Sequence, residues 1–194
     1  ARDNVTEAEL ALDKSGTFLA LRVKTVAAIG AYLQNNMPAF VLNAGTLAGT
    51  EYGRTPLRAL LSMSSGVKFR EDYDGADDVT KLSAATFGRQ SSGGVDAVRS
   101  FNERIAAPGA RWYYASSETY VLAMVARALF GRSLIAVLQD RIWQPMGAEA
   151  DATWMTDRSG VEIGYMGFNA ALRDYARLGM MMARPNWAAV CGTT

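Results

Sequence analysis

The stretch PGARWYYASSETYVLAMVARALFG, residues 108–131, constrains the fold more than any other part of the chain. Val121, Leu122, Val125 and Leu129 recur at the spacing of one helical face. Ser116 and Ser117 are suited to cap that helix, Glu118 suits its positive end, and Gly131 supplies a stop. The chain is thereby committed to a long amphipathic helix with a tryptophan and two tyrosines at its entrance. The phenol of Tyr114 falls just ahead of the helix N-terminus, and a phenol there asks for an explanation.

Helical spacing recurs along the chain between Gly- and Pro-rich turns. PLRALLSMSSGV opens with Pro56 at a favoured first position and sets Leu57, Leu60 and Leu61 on one face. A short helix is expected over 77–85, another in GGVDAVRSFNERIA, and further ones in SLIAVLQDRIW and ALRDYARLGMMMA. Residues 17–34, TFLALRVKTVAAIGAYLQ, are apolar on most sides and predict a buried helix, with a strand-like start over 17–21. The expected helix starts are Thr25, Pro56, Ser117, Ser133 and Ala171. NNMPAFVLNAGTLAGTEYGRTP reads as a loop, and DATWMTDRSGVEIGYMGFNA as a hairpin. Helices dominate, and any sheet is small or truncated.

Composition excludes several classes. With 194 residues, 49% of them apolar, the chain can bury one sizeable core. Its 20 basic and 19 acidic residues are scattered without a basic run, which argues against nucleic acid as a partner. The longest apolar stretches fall far short of the ~20 residues of a membrane span, so no transmembrane helix is expected. The polar N-terminus, ARDNVTEAELALDKSG, shows no apolar signal core, which leaves cytoplasm and periplasm both open, and the oligomeric state is open as well.

Histidine is absent and Cys191 is the single cysteine. Ser-His-Asp and Cys-His sites, His/Cys zinc cages and an internal disulfide are therefore excluded, and acid-base chemistry falls to Lys, Tyr, Asp or Glu. Asp72, Asp74, Asp77 and Asp78 lack the glycine and closing glutamate of a calcium loop and read as a solvated acidic loop. No metal and no cofactor are expected.

Four segments in order, TPLRALLSMSSGVKFREDY, PGARWYYASSETYVLAMVARALFGRSL, IWQPMGAEADATW and FNAALRDYARLGMMMA, resemble the serine β-lactamase and penicillin-binding-protein-like superfamily. Within it they are most similar to 6-aminohexanoate-dimer hydrolases and class C β-lactamase-like esterases. The resemblance implies an α+β, β-lactamase/transpeptidase-like fold with a dominant helical lobe and a small antiparallel sheet. It also implies one β-lactamase-related domain over 1–194, lacking family segments at both ends. The implied activity is cleavage of a small-molecule linear amide, ester or β-lactam through an acyl-enzyme.

In that superfamily a Ser-x-x-Lys helix supplies a nucleophile and a lysine, and a Tyr-x-Ser/Asn motif supplies a phenol that shuttles the proton. Tyr114-Ala115-Ser116 matches the second motif. The resemblance makes Lys24 and Tyr114 catalytic, expected to converge on one cleft, with Ser116 and Trp112 binding substrate. A serine hydroxyl is a poor nucleophile at neutral pH, and without histidine a tyrosine beside a lysine ammonium can take its proton. That chemistry accounts for the phenol. Leu21, however, stands where the serine of LRVKTVAAIG should be. A catalytically inactive relative or fragment that binds an acyl or peptide-like ligand is the alternative reading, and a helical scaffold fragment a third. A literal Ser-x-x-Lys at Ser65 to Lys68 follows a helix and precedes a turn, so serine and lysine need not share a helical face there.

Overall fold

A computed structural model describes residues 4–12, 18–27, 47–88 and 93–183, the first two stretches as backbone only. The chain divides into two compact units, Ala1–Gln34 and Asn35–Thr194. In the first, β1 (Asn4–Leu12) pairs antiparallel with β2 (Phe18–Ala27), and Lys24 lies opposite Glu7. The register shifts once, between Ala11 and Leu12.

β2 corrects the helix expected over 17–34 and its start near Thr25. Val23, Thr25 and Val26 are β-branched and stiff at χ1, which suits a pleated strand, and the apolar run fits either period. Positions 28–34 lie outside the described residues, as does Cys191. The hairpin also supplies a sheet where hardly any strand was legible.

In the second unit the helices are α1 (Glu51–Arg54), α2 (Leu57–Leu61), α3 (Asp78–Phe87), α4 (Gly94–Ser100), α5 (Ser116–Phe130) and α6 (Leu134–Leu138). A wider helical turn, Gln139–Trp143, continues α6, so SLIAVLQDRIW is not one uniform helix. A hairpin of β3 (Thr153–Trp154) and β4 (Phe168–Asn169) precedes α7 (Leu172–Met182). α1 lies inside the stretch read as a loop, because Thr50 caps it by accepting from the Gly53 N–H at 2.9 Å.

The core forms where α2, α3, α4 and α5 meet. Leu57, Leu60, Val79, Leu82, Val98, Tyr120, Val121, Met124 and Val125 are buried together. On α5 the buried stripe is Ser117, Tyr120, Val121, Met124 and Val125, whereas Leu122 packs at its edge and Leu129 is exposed. Gly131 ends the helix in the left-handed conformation, φ 64°, and its N–H closes onto the Arg127 carbonyl at 3.0 Å.

Between α2 and α5 the chain turns at Ser65 and Gly66. A Cβ on Gly66 would sit 2.0 Å from the Ala106 carbonyl oxygen, and its φ of +75° disfavours any side chain. Arg104 fixes this turn from the facing strand-like segment. Its guanidinium donates to the Ser65 carbonyl at 2.6 Å and to the Glu51 carboxylate at 2.5 Å. The two segments lie side by side because Val67 bridges Arg104, and the Tyr113 N–H reaches the Met63 carbonyl at 2.8 Å. That pairing delivers residues 112–116 to the start of α5.

Candidate active site

Tyr114 stands just before α5 and is 49% exposed, so its phenol faces solvent at the positive end of a helix. Neither serine caps that helix. Ala115 occupies the N-cap position and has no hydroxyl to offer, while Ser116 and Ser117 are already helical. The missing cap comes from Glu71, 45 residues earlier: its carboxylate accepts from the Ser116 N–H at 2.7 Å and from the Ser116 hydroxyl at 2.7 Å. An anion at a helix N-terminus that also receives an orphan N–H is stabilised twice, by hydrogen bonding and by the helix dipole.

Glu71 holds a third donor, the Tyr73 hydroxyl at 2.6 Å. That bond, together with lesser contributions including nearby Tyr114, pushes the Tyr73 phenol up to about 12, so it stays protonated and acts as a donor. Tyr73 takes a left-handed backbone, φ 57°, because Asp77 gathers the loop around itself. Its carboxylate accepts from the Asp72 and Tyr73 N–H groups at 2.8 and 2.6 Å and caps α3 through the Thr80 N–H at 3.0 Å. Asp77 is thus buried, which corrects its place in a solvated acidic loop. The Thr80 hydroxyl, followed by these backbone donors, holds its carboxyl well below the usual carboxylate range.

A second carboxylate anchors the same helix start from the inside. Glu118, only 3% exposed, accepts from the Ser65 hydroxyl at 2.6 Å and from the Ser65 N–H at 3.2 Å. Burial pushes its carboxyl up to about 7 against the opposing pull of those bonds. Ser117 is held by the buried Tyr52 hydroxyl at 2.6 Å. The literal Ser65 to Lys68 motif is not a catalytic pair: Ser65 is consumed by Glu118, and the Lys68 ammonium lies 2.8 Å from Glu103.

The expected residues therefore fall as follows. Tyr114, Ser116 and the 69% exposed Trp112 share the entrance to α5. Lys24 and Leu21 both lie on β2, in the other unit. The i, i+3 juxtaposition of a Ser-x-x-Lys helix is a helical property that a strand does not provide. Glu71, Tyr73 and Glu118 were missed as site residues. REDYDG reads as solvated loop, and nothing in the spacing links residue 71 to residue 116. Among the described residues no group of three or more His, Cys, Asp or Glu side chains is placed to hold a metal, and no single helix is long and apolar enough to cross a membrane.

The chain is similar to known proteins in sequence and fold. The family model described as Beta-lactamase matches residues 19–186. A 6-aminohexanoate-dimer hydrolase of Paenarthrobacter ureafaciens is 29% identical over 140 residues, covering 70% of this chain and 36% of the relative. A Bacillus anthracis structure, provisionally named a 6-aminohexanoate-dimer hydrolase, superposes with a TM-score of 0.69 at 20% identity, covering 97% of this chain and 57% of the other. A provisionally named β-lactamase of Bacteroides dorei DSM 17855 gives 0.53 at 18% identity, covering 93% and 58%. The chain thus spans about a third of the curated relative and somewhat over half of each solved one. Its architecture is the α+β, β-lactamase/transpeptidase-like fold, with helices dominant. The match runs through both the β2 segment and the Tyr114-Ala115-Ser116 entrance of α5, and the chain belongs to the β-lactamase family.

Proposed function

We propose that this chain carries the proton-transfer part of a serine hydrolase that cleaves a linear amide, ester or β-lactam through an acyl-enzyme. The observation that carries the reading is the half-exposed Tyr114 phenol, fixed at the start of α5 by the Glu71 grip on Ser116. The names of the relatives, hydrolases of an amide-linked dimer among them, support an amide or ester substrate.

In this reading a serine oxygen attacks the acyl carbon while Tyr114 takes the hydroxyl proton and later passes it to the departing amine or alkoxide. Lys24, in the matched β2 segment, keeps the role of the superfamily's lysine in this reading. Backbone N–H groups hold the tetrahedral oxyanion, and water releases the acyl group. Ser116 is 6% exposed and donates its own proton to Glu71, so in this reading it has only acceptor lone pairs to offer substrate. Trp112 walls the same entrance.

Leu21 favours a second reading, an inactive relative that binds an acyl or peptide-like ligand in the inherited cleft. A serine-directed covalent probe, applied to the parent and to Leu21→Ser, separates the two. Labelling of one serine in the parent supports the hydrolase. Labelling confined to Leu21→Ser supports the inactive relative, and labelling of neither overturns the acyl-enzyme chemistry.

A further inference from the structure

The loop before α3 lies against the entrance to α5 at two places. The Glu71 N–H donates to the Tyr113 hydroxyl at 3.4 Å, and the Glu71 carboxylate grips Ser116. One oxygen of that carboxylate, Oε1, receives both the Ser116 hydroxyl at 2.7 Å and the Tyr73 hydroxyl at 2.6 Å. The tip of the Tyr73 side chain is thereby set beside Ser116, two positions after Tyr114. After the Glu71 bond, Tyr114 is among the lesser causes that keep the Tyr73 phenol protonated, which agrees with a short separation.

Two features of Tyr73 are left over once the fold is accounted for. Its side chain is 73% exposed, and together with Trp112 it is one of the two most exposed aromatics among the described residues. Its backbone is left-handed, φ 57°, an outlier for a bulky residue, whereas Gly75 takes a similar angle freely two positions on. Strain held under a ring that buries nothing points to a use outside the fold. The hydroxyl is committed to Glu71, so what Tyr73 offers a ligand is the face of its ring. The carboxylates around it are engaged, Asp72 and Asp74 by Arg70 and Asp77 by backbone N–H groups, so the surroundings do not call for a cation.

From this juxtaposition we infer that Tyr73 is a substrate-binding residue of the acyl-transfer site, and that its exposed ring, with Trp112, takes a neutral aromatic ring on the substrate's acyl group in preference to an aliphatic one of equal size. Paired aromatic rings gain more than their buried area supplies, which is the source of the preference. The inference rests on the hydrolase reading for its link to turnover, but contact with Tyr73 needs no bond to break.

The experiment therefore begins with two methyl ketones that lack a leaving group, 4-phenylbutan-2-one and 4-cyclohexylbutan-2-one, titrated by NMR into the 194-residue chain. The phenyl ketone should bind about fivefold more tightly. Tyr73→Leu should abolish that preference, and Tyr73→Phe, which keeps the ring but loses the bond to Glu71, should retain it. Comparing these two variants cancels the lost hydroxyl. If Tyr73→Leu folds poorly, nuclear Overhauser contacts between the Tyr73 ring and the phenyl ketone in the parent decide, their presence being expected and their absence fatal. Hydrolysis of methyl 3-phenylpropanoate and methyl 3-cyclohexylpropanoate should show the same preference in kcat/KM, carried by KM. Equal affinities for the two ketones, a preference that survives in Tyr73→Leu, or one that disappears in Tyr73→Phe would each overturn the assignment. A ketone preference that depends on Tyr73, with neither ester hydrolysed, would support it and count against the hydrolase reading alone.

Discussion

Two carboxylates grip the start of α5, and they are used differently. Glu71, on the outer side, receives three donors, from Ser116 twice and Tyr73 once, so its oxygens are occupied. Glu118, on the inner side, receives both Ser65 donors on one oxygen and leaves the other bare. The first is a finished joint that replaces a missing N-cap. The second keeps a buried oxygen without a donor, and burial raises its affinity for a proton. A satisfied carboxylate fixes geometry, whereas an unsatisfied buried one stays responsive to protons.

The strongest way to break the inner joint is through its turn rather than its carboxylate. Gly66→Ala forces a methyl group against the Ala106 carbonyl at a backbone angle that disfavours it, and should cost about 3–5 kcal/mol of stability in a denaturant melt. A loss under ~1 kcal/mol would show that the turn relaxes freely. Gly75, with positive φ and open space around it, is the control and should tolerate alanine better.

Next in size is the pH dependence of the inner joint. Glu118 titrates near 7 in the fold against an ordinary 4.5, so folding takes up a proton between those values. Its contribution to stability is fully present below about pH 4.5 and is lost as pH rises toward and through about 7. Glu118→Gln keeps an acceptor for Ser65 and removes the titration. The difference in unfolding free energy between the two proteins should therefore shift by about 1–3 kcal/mol in favour of the variant between pH 5 and pH 8. Parallel profiles would contradict the raised carboxyl.

The outer joint should show the smallest change in stability and a visible one in rate. Glu71→Gln retains the shape but presents an amide where Ser116 N–H, Ser116 Oγ and Tyr73 all donate. About 1 kcal/mol of stability and roughly tenfold in kcat should be lost, with KM little changed. A pure KM effect would move Glu71 from positioning the phenol to contacting substrate.

What could be read from sequence was what local physics determines. The helices after Pro56, Ser133 and Ala171 begin where they were expected because their signals, a proline, a capping hydroxyl and an amphipathic repeat, act within one turn. β2 was illegible because an apolar run with β-branched Val23, Thr25 and Val26 fits helix and strand alike, and its pairing with β1 decides. The Tyr114 motif was legible through resemblance. Its brace was not, since Ser116 looked like a cap in its own right and its partner comes from 45 residues away. Asp77 was misread for a related reason: in an acidic run, only the fold reveals which carboxylate gathers the backbone donors.

The central claim, that Tyr114 moves the proton in acyl transfer, is tested most directly by the steady-state hydrolysis of a chromogenic ester or β-lactam by the parent and by Tyr114→Phe, with both melting temperatures recorded. Among the described residues the half-exposed Tyr114 phenol makes no hydrogen bond, so the melting temperatures should agree. The acylation rate should fall by roughly 10²–10⁴-fold, the scale of a lost general base. Equal rates in the two proteins would contradict the account.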